Sequence, residues 1–173
     1  MSRETAAGRL PLVRPPARRF LVEQWLVTTP AQLSVTRAGL AARVAPAAGR
    51  AVAPALADGG DGAARGLPGE EDHRGLARTP DQVALVASEL ATNALRHGLG
   101  PAVVRLFRDV RAWVLEVTDH DPGTPPVYAG RRAPGDGGLG LHVARRLATE
   151  VGWYVDDGTK TVWASFPVVA GGR

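Results

Sequence analysis

SELATNALRHG, residues 88–98, carries an acid, an amide and an imidazole four residues apart in an otherwise apolar segment. These three side chains are Glu89, Asn93 and His97. A helix turns by about 100° and rises about 1.5 Å per residue, so it would hold them within about 80° of one another. The segment therefore predicts a helix with one polar stripe, which is either a solvated face or part of a site.

The residues on either side predict where this helix begins, where it ends and which face it buries. Thr79 as N-cap, Pro80 at the first helical position and Gln82 form a capping box, and Gly98 suits a C-terminal cap. We therefore expect the helix to begin after Thr79. Its apolar positions recur at helical spacing and predict a buried face made of Val83, Val86, Ala87, Leu90, Ala91 and Ala94.

The composition limits the class of protein. The chain has 173 residues, which suits one domain with a core and is too short for two comfortable ones. Without cysteine it can form no disulfide, no cysteine-ligated zinc site and no thiol nucleophile. We find neither an apolar run approaching the roughly 18 residues of a membrane span nor a signal-peptide pattern. We expect a soluble, cytoplasmic protein that does not contact a membrane.

The charge does not favour nucleic acid as the main partner. The formal net charge is +4 and the pI is about 10.5, because arginine is frequent. The arginines are scattered, however, and the clusters Arg18–Arg19 and Arg131–Arg132 are too short for a nucleic-acid footprint. We therefore expect another kind of partner.

The first half of the chain alternates between ordered and irregular composition. Residues 19–27 favour a strand, and Thr28 or Thr29 ahead of Pro30 predicts a helix over about 31–45. Residues 46–78 show no helical or strand period and are rich in Ala, Gly, Pro and Asp, which predicts a flexible insertion. The predicted organisation is a disordered N-terminal tail over 1–18, one domain over 19–167 and a tail over 168–173.

The second half predicts a sheet. Residues 102–108 and 112–119 are typical of strands, and Asp157–Gly158 predicts a hairpin between strands 152–156 and 159–166. One side of the strand 112–119 carries an apolar row that ends in a carboxylate, namely Trp113, Leu115, Val117 and Asp119. Burial of that carboxylate is costly unless a donor meets it, although an acid here also suits a turn.

A Gly/Pro-rich loop, residues 121–140, leads directly into a helix beginning near LGLHVARR. Glycines ahead of a helix allow close backbone approach, and the helix N-terminus offers N–H groups to an anion. The loop is therefore a candidate phosphate site or simply a flexible connection.

Three motifs in this order resemble a known domain: ELxxNAxxHG on a helix, an aspartate at a strand end opening a Gly/Pro loop, and GGLGL opening a helix before a GT-containing hairpin. Together they resemble the Bergerat-fold ATP-binding domain of gyrase B, Hsp90, MutL and histidine kinases. The ELATNALRHG form is most similar to bacterial anti-sigma-factor serine/threonine kinases. The resemblance covers residues 19–167 without 46–78. It implies an α+β two-layer sandwich, a mostly antiparallel sheet covered on one face by helices.

The resemblance also implies roles for individual residues. Asn93 would coordinate a Mg²⁺ ion that bridges the phosphates of ATP, and Glu89 would be the general base. Asp119 would accept a hydrogen bond from the adenine amino group. The other implied nucleotide-binding residues are Gly123 near the adenine, Gly138, Leu139, Gly140 and Leu141 on the phosphate side, and Thr159 near the adenine.

Some positions remain open at this point. His97 matches a histidine of the subgroup, with a polar, capping or C-terminal cationic role. Asp121 and Asp136 stand where the family's motifs have glycine, and a carboxylate near triphosphate repels it unless a cation intervenes. Arg131 and Arg132 are candidate contacts of the γ-phosphate.

The resemblance implies two alternative functions. The first is an ATP- and Mg²⁺-dependent kinase that phosphorylates a serine or threonine of a protein partner. The second is a nucleotide-binding anti-sigma factor that acts through protein contact without efficient transfer. The expected protein partners are a sigma factor, an anti-anti-sigma factor or both. The sequence leaves open whether the chain forms a homodimer.

Overall fold

The computed structural model describes residues 9–45, 70–128 and 139–168, with the backbone alone for 70–78 and Leu139. The elements in chain order are β1 (Phe20–Val27), a 3-10 turn (Pro30–Gln32), α1 (Leu33–Val44), α2 (Glu70–His97), β2 (Ala102–Arg108), β3 (Ala112–Asp119), α3 (Leu139–Leu147), β4 (Glu150–Asp156) and β5 (Thr159–Pro167). The strands form one antiparallel sheet in the order β1-β2-β3-β5-β4.

The helices cover one face of this sheet, and the apolar core lies between the two layers. Helix α2 contacts α1 and α3 on its sides and β2, β3 and β5 beneath it. All six positions predicted for its buried face are buried. They belong to the same core cluster as Val104, Leu115 and Val117 of the sheet. The predicted α+β two-layer sandwich is therefore confirmed.

The sheet register determines which side chains share the helix-covered face. Leu115 lies opposite Leu106 of β2 and Ala164 of β5, and all three are buried in the core. Two residues further along β3 comes Val117, and after it Asp119, whose register partner on β5 is Lys160. Side chains alternate along a strand, so this acid and this lysine point to the helix-covered face.

Local turn signals are confirmed at both ends of the chain. Asp157 and Gly158 have positive φ values of 44° and 72°, which is the conformation of a tight hairpin turn. At the start of α1, the Gln32 side-chain oxygen accepts hydrogen bonds from the backbone N–H groups of Thr28 and Thr29. These contacts hold the turn that leads into the helix.

Helix α2 begins earlier than predicted. It starts at Glu70 and contains Pro80, so the predicted N-cap at Thr79 is wrong, and the insertion predicted over 46–78 extends no further than residue 69. A proline inside a helix removes one backbone hydrogen bond and crowds the carbonyl four residues earlier, which is why Pro80 predicted a helix start. Residues 46–69 lie outside the described part of the chain.

The N-terminal segment, residues 9–19, also differs from its prediction. The backbone N–H of Val13 donates to Trp153 O at 2.9 Å, and that of Trp153 donates to Pro11 O at 3.1 Å. The indole N–H groups of Trp153 and Trp163 donate to Leu10 O and Val13 O. The prediction of disorder over 1–18 is therefore wrong for this segment, because a rule based on composition omits the donors and acceptors of the β4 edge.

The segment then crosses the sheet face opposite the helices and is held there by a buried ion pair. Arg19 Nη2 lies 2.5 Å from Glu116 Oε1, and the glutamate side chain is 3% exposed. Burial raises the pKa of Glu116, and the charge of Arg19 opposes that shift. The ion pair thus anchors the end of the N-terminal segment immediately before β1. Residues 1–8 and 169–173 lie outside the described ranges, and within those ranges no helix is long and apolar enough to cross a bilayer.

We predict that Gly152→Ala destabilises the protein through the N-terminal segment. A Cβ at this position would lie 2.7 Å from Val13 Cγ1 and 2.9 Å from the indole nitrogen of Trp163. The free energy of unfolding, measured by urea denaturation, should fall by about 1–3 kcal/mol. Gly100→Ala is the control, since nothing lies within 4 Å of its Cβ. Equal losses in the two variants would contradict the contact.

Candidate functional site

The polar stripe of α2 faces the first turn of α3. Gly140 is buried, and a Cβ on it would lie 2.9 Å from Glu89 Oε2 and 3.1 Å from Asn93 Nδ2. Any side chain at Gly140 would fill this space, so the glycine allows the two helices to approach here. The structure thus brings three predicted site residues together at a helix N-terminus, where backbone N–H groups favour an anion.

The other residues predicted for the phosphate side are only partly described. Leu141 is buried, and its side chain belongs to the core cluster. Leu139 begins α3, with its backbone alone described. The remaining predictions for this loop lie outside the described residues, namely Gly138, Arg131, Arg132 and Asp136.

Asp119 lies at the end of β3 with its carboxylate buried. Its side chain is 4% exposed, and Oδ1 lies 2.9 Å from the backbone N–H of Asp121 and 3.4 Å from Lys160 Nζ. Burial raises the pKa of Asp119, and the hydrogen bond from Asp121 and the charge of Lys160 oppose the shift. The predicted buried acid is therefore present, and the donors that it requires are present as well.

Gly98 connects this acid to the end of α2. A Cβ on Gly98 would lie 2.5 Å from Asp119 Cγ and 2.7 Å from Asp119 Oδ2. The next residue, Leu99, accepts a hydrogen bond of 2.8 Å from the backbone N–H of His120. Helix α2 ends at His97 as predicted, and the backbone N–H of Gly98 donates to Ala94 O at 3.0 Å. The φ of Gly98 is not positive, so the close approach to Asp119 explains the glycine. Asp119 therefore lies under the C-terminal end of the helix that carries Glu89.

The site consequently runs along α2. One end of the site is formed by Glu89 and Asn93, which meet α3. The other end is formed by Asp119, which lies under Gly98. From Glu89 to Gly98 the helix axis advances roughly 14 Å, at about 1.5 Å per residue. An elongated ligand that contacts both ends must therefore lie beside the helix.

Lys160, rather than the predicted Thr159, lies beside Asp119. Thr159 lies opposite Asp156 in the β4–β5 hairpin, and its hydroxyl donates to Asp156 O at 2.8 Å. Strand alternation directs it to the sheet face opposite that of Lys160. The sequence analysis missed the lysine. The Asp157–Gly158 turn sets only the register of β4 with β5, and the pairing of β3 with β5 that brings Lys160 to Asp119 has no local signal in the sequence.

The loop after β3 is held by its own acid. The Asp121 carboxylate accepts a hydrogen bond of 3.2 Å from the backbone N–H of Gly123. The pKa of Asp121 is lowered, chiefly by a hydrogen bond from the Thr124 side chain. The aspartate that stands where the family has glycine is therefore engaged in a turn. Gly123, which the resemblance places near the adenine, is exposed in the same loop.

An aromatic contact joins this loop to α3. The ring centroids of Tyr128 and His142 lie 5.1 Å apart. The guanidinium carbon of Arg145 lies 5.6 Å from the ring centroid of Tyr128. Burial raises the pKa of Tyr128, and Arg145 opposes the shift. The contact links the loop beside Asp119 to the helix that contacts Asn93. His97 is exposed in the last turn of α2.

A family model described as the histidine kinase-like ATPase domain matches residues 28–166. The chain belongs to this family. The match includes α2, the end of β3, α3 and β5, and hence every residue of the site described above. None of the curated proteins matches the chain. Membership in the histidine kinase-like ATPase family confirms the broader resemblance and indicates ATP as the ligand.

The residues present fit a magnesium ion held jointly with a nucleotide. The amide oxygen of Asn93 is an oxygen ligand of the type that Mg²⁺ accepts in proteins. Across residues 9–45, 70–128 and 139–168, no group of three or more His, Cys, Asp or Glu could hold a metal. An ion at this ATPase site would therefore take most of its ligands from phosphate oxygens and water.

We predict that Gly140→Ala weakens ATP binding without unfolding the protein. The added methyl group would meet Glu89 and Asn93 and displace α3 from α2. The dissociation constant of ATP with Mg²⁺, measured by isothermal titration calorimetry, should rise by a factor of roughly ten to a hundred. Gly100→Ala serves as the control with no steric contact. Unchanged affinity in the Gly140 variant would show that the α2–α3 approach does not shape the site.

Proposed function

We propose that the protein is a Mg²⁺-dependent serine/threonine kinase of a bacterial partner-switching system, which binds ATP and phosphorylates a protein partner. The proposal rests chiefly on one observation, the packing of Gly140 against both Glu89 and Asn93. A base and a metal ligand one helical turn apart beside a helix N-terminus suit phosphoryl transfer, because the nucleophile and the phosphate must lie side by side.

The two ends of the site suit the two ends of ATP. Asp119 is an acceptor held at the end of β3, and it would accept a hydrogen bond from the adenine amino group. The first turn of α3 offers backbone N–H groups to the phosphates. The amide oxygen of Asn93 would hold Mg²⁺, which supplies charge neutralisation of the phosphate oxygens when bound.

Glu89 is the residue with the chemistry of a general base. Its carboxylate would accept the proton of a serine or threonine hydroxyl as the hydroxyl oxygen bonds to the γ-phosphorus. The bond from that phosphorus to the bridging oxygen breaks, and ADP leaves with the bridging oxygen. The side chain is partly buried between α2 and α3, so its position relative to Asn93 is constrained by packing.

The resemblance to anti-sigma-factor kinases supports a specific pair of protein partners. A sigma factor would be held by the protein, and an anti-anti-sigma factor would be the phosphorylated substrate. The alternative function is an anti-sigma factor that binds nucleotide without efficient transfer. Both alternatives use the same nucleotide site, and they differ in whether Glu89 acts on a hydroxyl.

We predict that Glu89→Gln abolishes transfer while ATP still binds. The amide cannot accept the hydroxyl proton, so transfer of labelled phosphate from ATP to an anti-anti-sigma factor should slow by roughly 10²–10⁴-fold. Because Asn93 and Asp119 are untouched, the affinity for ATP should change by no more than about threefold. Radiolabel transfer and calorimetry give the two values.

Asp81→Asn is the matched control, since Asp81 is an exposed acid on the same helix. It should leave both values unchanged. If the wild-type protein transfers no label to any candidate partner but binds a sigma factor, the kinase proposal fails and the alternative is supported. If Glu89→Gln transfers label at the wild-type rate, Glu89 is not the base.

A further inference from the structure

Lys160 is a buried cation beside the acid that the proposed function assigns to the base of ATP. We propose that Lys160 is a second base-reading residue, which donates a hydrogen bond to adenine N1 while Asp119 accepts one from the amino group. This inference rests on the proposed ATP binding and adds a specificity residue to the same site.

The position of the lysine is fixed by the fold. Lys160 lies opposite Asp119 in the β3–β5 ladder, and its side chain is 6% exposed. Its Nζ lies 3.0 Å from Thr124 O and 3.4 Å from Asp119 Oδ1. A strand register, a loop carbonyl and a carboxylate thus hold the ammonium group at the same end of the site as Asp119.

The ammonium group retains donor capacity for a ligand. A lysine carries three N–H donors and no acceptor. Two of them have the acceptors named above, on Thr124 and Asp119. The third can be directed to an acceptor that lies beside the carboxylate, and this is where the base is expected.

The pair matches the hydrogen-bonding edge of adenine. Adenine presents a donor, its amino group, next to an acceptor, N1. Asp119 is an acceptor and Lys160 is a donor, so the two side chains complement this edge in order. Guanine presents an acceptor, O6, next to a donor, N1–H, which inverts the order. With the phosphates directed to α3, guanine would mismatch both side chains, and mismatched buried polar groups are costly.

The test compares ligands that differ at a single ring atom. Isothermal titration calorimetry with Mg²⁺ measures the affinity of the wild-type protein for ATP and for 1-deaza-ATP, in which N1 is replaced by C–H. The affinity for 1-deaza-ATP should be weaker by roughly tenfold or more, because a hydrogen bond to a charged donor is lost. As a control, 7-deaza-ATP keeps N1 and should bind within about threefold of ATP.

Lys160→Met assigns the effect to the lysine. Methionine keeps much of the length of the side chain and removes the donor, so the difference between ATP and 1-deaza-ATP should disappear. The same difference in the variant as in the wild type would overturn the inference. If this variant does not fold, the wild-type comparison still decides, because equal affinities for ATP and 1-deaza-ATP overturn the inference. If the wild-type protein binds none of the nucleotides, the proposed function itself fails.

Discussion

The burial of the Asp119 carboxylate is the constraint on which the site depends. Removal of this carboxylate from water favours its neutral form and so raises its pKa. The backbone N–H of Asp121, which donates to Oδ1, and the ammonium group of Lys160, 3.4 Å from Oδ1, oppose this shift. The contribution of Asp119 to the free energy of unfolding therefore falls as the pH rises from the ordinary value of 3.8 through the raised pKa. A ligand that donates a hydrogen bond to the ionised carboxylate would recover part of this cost, so nucleotide binding and folding are coupled at this residue.

The rest of the architecture positions a second polar end relative to this acid. The C-terminal part of α2 connects the two, because Gly98, just after the helix, lies against Asp119, and Glu89 and Asn93, between one and three turns earlier, lie against Gly140. Both contacts use a glycine to let two parts of the backbone approach, and both would be blocked by a methyl group. The Tyr128 contact with α3 ties the loop after β3 to the same helix. The two ends of the site are therefore joined by packed elements.

The sequence predicted most of this arrangement, and its errors have physical causes. The buried face of α2, the strand ending at Asp119 and the Asp157–Gly158 hairpin follow from local periodicity and turn chemistry, so they could be predicted. The start of α2 was misplaced because Pro80, a residue that favours the first turn of a helix, lies inside this one. Residues 9–16 were misjudged because their partners, Trp153 and Trp163, are distant in sequence. Lys160 was missed because its role arises from strand register, whereas Thr159 was chosen from a motif. Tertiary contacts decide the last two of these cases, and no local pattern encodes them.

The claim that Asp119 is the acceptor for the base of ATP can be measured directly. Asp119→Asn is nearly isosteric, and it replaces the anionic acceptor by a neutral amide while circular dichroism confirms that the fold is retained. Isothermal titration calorimetry with ATP and Mg²⁺ should give an affinity weaker than that of the wild-type protein by roughly tenfold or more, because a hydrogen bond to a charged group is lost. Equal affinities for a folded variant and the wild-type protein would contradict the account.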